Sequence, residues 1–94
     1  MTAMYTVRFY EGAEKEWLKL DKTVRVRFLI VLERRLVEPR ILSAQLGGDL
    51  QGLYKIKLQK SGHRLVYEVV DESIVLVVAV GKHDIYRTAA SRLT

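Results

Sequence analysis

The stretch that decides the fold is residues 54–67, YKIKLQKSGHRLVY. Tyr54, Ile56 and Leu58 alternate with Lys55, Lys57 and Gln59. A period of two, rich in aromatic and β-branched residues, is the pattern of a strand with one buried face. Ser61-Gly62 reads as a two-residue hairpin loop, after which Leu65, Tyr67 and Val69 continue the alternation. That loop pairs Lys60 with His63, Gln59 with Arg64, Lys57 with Val66 and Lys55 with Glu68. Directly opposed residues share a face, so Lys55, Lys57 and Arg64 project from one surface. Tyr54, Ile56, Leu58, Leu65, Tyr67 and Val69 project from the other, into a core. A loop one residue longer or shorter would invert the side on which Arg64 emerges. An edge hairpin whose lysines discourage aggregation fits the same pattern.

Working outward, no acidic residue occurs between Asp49 and Glu68, so the hairpin is the basic centre of a chain with formal net charge +5. That balance favours a polyanion, whether nucleic acid or an acidic protein. The 94 residues make one domain, and a hydrophobic content of 49% supplies a core. There is no cysteine, hence no disulfide or thiolate chemistry, which fits the cytoplasm. Two histidines, His63 and His83, do not make a structural zinc site, and no metal or cofactor is expected. The apolar run at residues 74–80 is too short to span a bilayer, so no membrane association is expected.

On the N-terminal side, Tyr5, Val7 and Phe9 alternate with polar neighbours as a first strand. Glu11-Gly12 breaks it, and residues 13–20 place Ala13, Trp17 and Leu20 at helical spacing. A second helix, capped by Asp21 or Thr23 and ended by Pro39, carries the stripe Val24, Phe28, Val31, Leu32 and Leu36. Val26, Leu29, Ile30 and Val37 lie off that stripe. They are expected to pack in part on the Trp17 helix, with the rest either core or a protein-binding groove. The arginines of this region read as a solvated helix face. Residues 40–52, with Gly47, Gly48 and Gly52, form a connection.

On the C-terminal side, Asp71-Glu72-Ser73 is a turn and IVLVVAV, residues 74–80, is apolar at every position. A strand covered on both faces belongs in mid-sheet. Asp84 caps a short last helix with Ile85, Ala89 and Leu93 inward. The order β-α-α-β-β-β-α predicts an α+β fold, a mostly antiparallel sheet with two N-terminal helices on one face and a short C-terminal helix.

The chemistry follows from the cations. If the last strand neighbours the hairpin, Lys82, His83 and Tyr86 approach Lys55, Lys57 and Arg64. Cations bind a phosphodiester and offset the charge that develops in an in-line displacement. RNA carries its own nucleophile in the 2′-OH, so the protein needs one proton acceptor and one donor to the leaving 5′ oxygen. A lysine crowded by cations can accept a proton, since like charges favour its neutral form. His83 is of a type suited to proton transfer near neutrality. Surface placement of His83 and helix packing of Tyr86 are the structural alternatives. Lys60, His63, Lys82 and Arg87 are candidate RNA contacts.

YKIKLQKSGHRLVYEVVDE followed by VLVVAVGKHDIYRTA closely resembles the RelE branch of the RelE/ParE toxin superfamily. KEWLKLDKTVR, VEPRI and the Leu46-Gly47 loop extend the resemblance over nearly the whole chain. It implies the toxin of a type II toxin–antitoxin pair: a ribosome-dependent, metal-independent endoribonuclease that cuts mRNA in the A site, beside 16S rRNA, and is neutralised by a cognate antitoxin. Operator DNA would be reached only through that antitoxin. By matching motif positions, Lys55 and Lys57 correspond to the family's catalytic lysines, with Lys57 as general base. Arg64 corresponds to the phosphate-stabilising arginine and Tyr86 to the tyrosine that orients the nucleotide. Where RelE-type members carry a leaving-group arginine after Gly-Lys, this chain has His83, and its segment before the tyrosine is a few residues shorter. ParE-type members share the fold but inhibit gyrase and generally lack the cationic set. An inactive toxin serving as a corepressor with its antitoxin is the remaining alternative.

Overall fold

A computed structural model describes residues 5–71 and 74–93. Its elements run β1 (Thr6–Phe9), α1 (Glu11–Leu18), α2 (Lys22–Arg35), β2 (Leu53–Lys57), β3 (Arg64–Val69), β4 (Ile74–Gly81) and α3 (Ile85–Arg92). Two short 3₁₀ turns, Leu42–Ala44 and Gly48–Leu50, lie in the connection before β2. The element order is the expected one. Residues 72 and 73 of the expected turn lie outside the described residues.

The sheet order is β1-β4-β3-β2. The β2–β3 and β3–β4 pairs are antiparallel, and β1 runs parallel to β4. The fold is therefore α+β with a mixed sheet. The chain cannot return from β1 to a parallel neighbour by a hairpin, and the two N-terminal helices and the hairpin lie between them.

One face of the sheet packs on α1 and α2. Phe28, Leu32 and Val24 of α2 and Ala13 of α1 meet Tyr54, Ile56, Leu65, Tyr67 and Val77. Trp17 sits between Phe9 and Phe28, with ring centroids 5.7 and 6.1 Å away. Tyr54 and Tyr67 stack at 5.4 Å, as expected for directly opposed aromatics on one face. The opposite face carries a second core, in which Leu53, Val66, Val78 and Ala79 pack on Ile85 and Ala89 of α3. The hairpin's cationic surface is thus apolar along its inner half, which alternation in the hairpin alone did not show.

Three boundaries differ from the sequence expectation. Helix α1 starts at Glu11, because Tyr10 accepts the first helical bond from Glu14 (2.9 Å) and Gly12 lies within the helix. Helix α2 ends at Arg35, four residues before the Pro39 proposed to end it, as Val37 N–H turns to Arg34 O in a tighter turn. Asp21 stands at its N-cap position without a side-chain capping bond. The third is the hairpin. Lys57 opposes Arg64 and Lys55 opposes Val66. The loop is residues 59–62, closed by Leu58 N–H donating to His63 O and Gly62 N–H to Leu58 O, both 2.9 Å. Gly62 adopts φ 74°, which a side chain would strain. Two extra loop residues are an even change, so each side chain keeps its expected face.

Val26, Leu29, Ile30 and Val37 remain 45–53% exposed instead of packing on the Trp17 helix. Helix α1 is only eight residues long and directs Trp17 to the sheet-side core, leaving no surface to cover them.

Candidate functional site

Strand β4 emerges beside the hairpin. Gly81 pairs with Arg64, which pairs with Lys57, so three strands align these residues in one row. A register shift between Val66 and Tyr67 leaves Val78 as an extra residue of β4. Val78 and Ala79 consequently both enter the second core, and Val80 returns to the first. The bulge thereby sets the side on which β4 ends, and bulges commonly re-aim residues in this way. At Gly81 a Cβ would stand 2.7 Å from Ile85 Cγ2, so the missing side chain admits α3 against the strand end.

The chain leaves this row through exposed Lys82, His83 and Asp84 into α3, where Tyr86 is half-buried in the second core. Lys57 is exposed, and Lys55 and Arg64 are half-buried. Arg64 Nη1 donates to Gly62 O at 3.2 Å, which bends the guanidinium toward the hairpin tip and leaves its other N–H groups available. Lys60 is exposed on the same loop, and Arg87 is exposed on α3. His63 stands one residue before Arg64 and across from Leu58, half-buried, its Nδ1 enclosed without a hydrogen-bond partner. Of the candidates, the fold therefore gathers Lys57, Arg64 and the Lys82-His83 exit at one end of the sheet. Lys55 lies one step inward and Tyr86 behind on α3. Among the described residues no cluster of His, Asp and Glu has metal-ligand geometry.

Two supports were not singled out in the sequence. Arg35 Nη1 donates to Lys55 O (3.2 Å) and to Tyr67 Oη (2.9 Å), and the Tyr67 hydroxyl donates to Pro39 O (2.7 Å). Helix α2 thus holds β2 by its backbone at the residue between Tyr54 and Ile56. Burial pushes the Tyr67 hydroxyl pKa up, against the opposing pull of the Arg35 hydrogen bond. The second support is an ion pair. Beyond Val77, β4 has no β1 neighbour. Glu16 Oε1 accepts from Val80 N–H (3.1 Å), and Arg92 Nη1 donates to Val78 O (2.7 Å). Arg92 and Glu16 pair through both nitrogens at 2.9 and 3.0 Å. This pair replaces the absent strand and ties α1 and α3 to β4. Nothing local to positions 16 and 92 signals it, since they are 76 residues apart.

A family model described as the ParE toxin of type II toxin–antitoxin systems, parDE, matches residues 7–85. The chain belongs to the RelE/ParE toxin superfamily. It is 47% identical over 93 residues to a putative RelE-like toxin protein of Escherichia coli, covering 95% of this chain and 97% of that one. It is 44% identical, with the same coverage, to the mRNA interferase toxin RelE of E. coli K12. Its fold matches a free mutant of E. coli RelE with TM-score 0.86 and 43% identity, over 98% of this chain and 100% of that one. It matches a chain of the intact E. coli RelBE toxin–antitoxin complex with TM-score 0.78 and 47% identity, over 85% and 96%. The RelE branch is thus the nearer part of the superfamily by sequence name and by structure. No helix among the described residues is long and apolar enough to cross a membrane.

Proposed function

We propose that this RelE-type toxin is a ribosome-dependent endoribonuclease that cuts mRNA in the A site and is neutralised by a cognate antitoxin. The observation that carries the reading is the row Lys57–Arg64–Gly81, continued by Lys82 and His83, in a chain this similar to named mRNA interferases. Lys57 accepts the 2′-OH proton as the oxygen attacks phosphorus. Arg64 and Lys55 offset the charge on the non-bridging oxygens. His83 donates a proton to the departing 5′ oxygen, and Tyr86 orients the nucleotide. The P–O5′ bond breaks as the P–O2′ bond forms, leaving a 2′,3′-cyclic phosphate and a 5′-hydroxyl. The ribosome supplies the substrate strand in an extended, single-stranded state.

The antitoxin partner rests on relatives seen in complex with RelB and on the charge of +5. Operator DNA is reached through that partner. The test adds purified protein to programmed ribosomes and maps message 3′ ends. A-site cuts are expected, and Lys57→Ala or Arg64→Ala lowers the rate by at least about 100-fold, as loss of an acid–base or electrostatic group does. Intact message with the unsubstituted protein overturns the proposal. A gyrase inhibitor is the second reading, favoured by the name of the family model alone. The presence of Lys55, Lys57 and Arg64 together counts against it, and a supercoiling assay separates the two.

A further inference from the structure

A groove of about 350 Å³ runs between α2 and the hairpin, around the edge of β2 from the Lys57–Arg64 row. Helix α2 supplies Arg27, Ile30 and Val31, and the hairpin supplies residues 57–60. Its volume lies within the range of small-ligand sites, roughly 300–1,000 Å³. We infer that this groove is a subsite for a nucleotide of the single-stranded RNA flanking the cut. The inference rests on the nuclease reading above and adds to it where the substrate strand goes.

Three features carry it. First, the lining holds three cations, Arg27, Lys57 and Lys60, and no carboxylate. The second groove of the molecule, on the other side of α2, contrasts with it: Trp17, Leu29 and Leu36 line it with Glu33 and no cation. Of these two grooves, the first complements a phosphate backbone. Second, the floor is apolar and open. Ile30 is 51% exposed on a helix face that nothing among the described residues covers, and Leu58 and Val31 flank it. An unstacked base is held between apolar side chains or against an arginine plane while polar groups read its edge, and here Ile30, Val31 and Leu58 supply the apolar surface and Arg27 the plane. Gln59 provides an amide there. The main chain of Lys57 provides a donor and an acceptor, because Leu53 O and Lys55 O both accept bonds from outside the sheet and alternation turns Lys57 outward too. Third, the groove is continuous with the site. Lys57 lines the groove and opposes Arg64, so a strand whose scissile phosphate lies at that pair reaches the groove in the next step over the edge of β2.

The experiment uses the full-length protein on programmed ribosomes, with cut sites and the protein dependence of the rate measured together. Ile30→Glu sets a carboxylate on the exposed floor, and Leu29→Glu makes the same change on the other groove as a control. The expected result for Ile30→Glu is a rise of about 10-fold or more in the half-saturating concentration, with the saturated rate within about 3-fold, the pattern of lost uniform binding. Leu29→Glu leaves both unchanged. Gln59→Ala redistributes cutting among messages that differ in the nucleotides next to the cut. A parallel arm measures binding of a 2′-O-methylated single-stranded RNA, which cannot be cleaved, to the same variants, and Ile30→Glu weakens it as well. The inference is overturned if the unsubstituted protein cuts message and Ile30→Glu and Gln59→Ala cut the same sites with the same dependence. It is also overturned if Ile30→Glu weakens only binding of a peptide from RelB, the antitoxin of the E. coli relative, which would make the groove a protein-docking surface. If the unsubstituted protein leaves message intact, the nuclease reading fails first and the subsite falls with it.

Discussion

At the scale of single residues, Tyr67 shows how one hydroxyl joins three segments. It accepts from Arg35, donates to Pro39 O and stacks on Tyr54. Because burial raises its pKa above the ordinary 10.0, the fold prefers the protonated phenol. That contribution is complete below the ordinary value and is lost as pH rises through the folded one. Denaturant titrations at increasing pH should therefore show a loss of stability on the alkaline side. Tyr67→Phe should flatten that loss while costing about 1–3 kcal/mol at neutral pH, because Arg35 and Pro39 O lose a partner. His83 makes a different prediction. As the proposed proton donor it should be needed for the chemical step. His83→Ala is expected to slow A-site cutting by about 100-fold or more at saturating protein, and His83→Arg to retain more activity than the alanine variant. Equal rates for the alanine variant and the unsubstituted protein would remove His83 from the mechanism.

At the scale of elements, the question is what holds the end of β4 where Lys82 and His83 leave it. Strand β1 stops pairing at Phe9, and the chain turns into α1. Without a strand neighbour, the Val78 carbonyl and Val80 N–H of these buried residues would be unsatisfied, which is costly. Glu16 and Arg92 satisfy both, and each is itself half-buried, at 30% and 22%. Removing one partner leaves the other carrying an unpaired charge. Arg92→Ala is expected to lower stability by about 1–3 kcal/mol in thermal or denaturant unfolding, more than an exposed ion pair warrants. Gly12 belongs to the same device. A Cβ there would push the Arg92 guanidinium away from Glu16 and Val78 O, and loss of those bonds should offset the roughly 1 kcal/mol alanine gains over glycine in a helix, so Gly12→Ala is not expected to stabilise.

At the scale of the whole molecule, charge and shape act together. The net +5 is concentrated along the hairpin, the β4 exit and the rim of the groove on α2. Association with RNA should weaken with salt in proportion to the phosphates neutralised, about 0.7 logarithmic units per contact for a single strand. Lys82→Ala, at an exposed position, should reduce that slope by roughly one contact without changing thermal stability. Fluorescence anisotropy with a 2′-O-methylated RNA at several salt concentrations measures this.

Much of this was written in local pattern. The period of two in residues 54–69 assigned the side of Lys55, Lys57 and Arg64, and the apolar run of β4 placed that strand inside the sheet. Burial of one face is a property of alternation, and alternation is local. The YKIKL and RLVY blocks were enough to identify the superfamily. The tertiary structure decided what depends on partners distant in sequence. It set the four-residue loop that puts Lys57 directly across from Arg64, and the bulge at Val78 that aims the β4 exit. It also placed the second core beneath α3, the Arg35 brace on β2, and the Glu16–Arg92 pair at the open edge. Hydrogen bonds between residues 20 to 76 positions apart leave no periodicity for a sequence to display; they exist only once the sheet has brought those groups together.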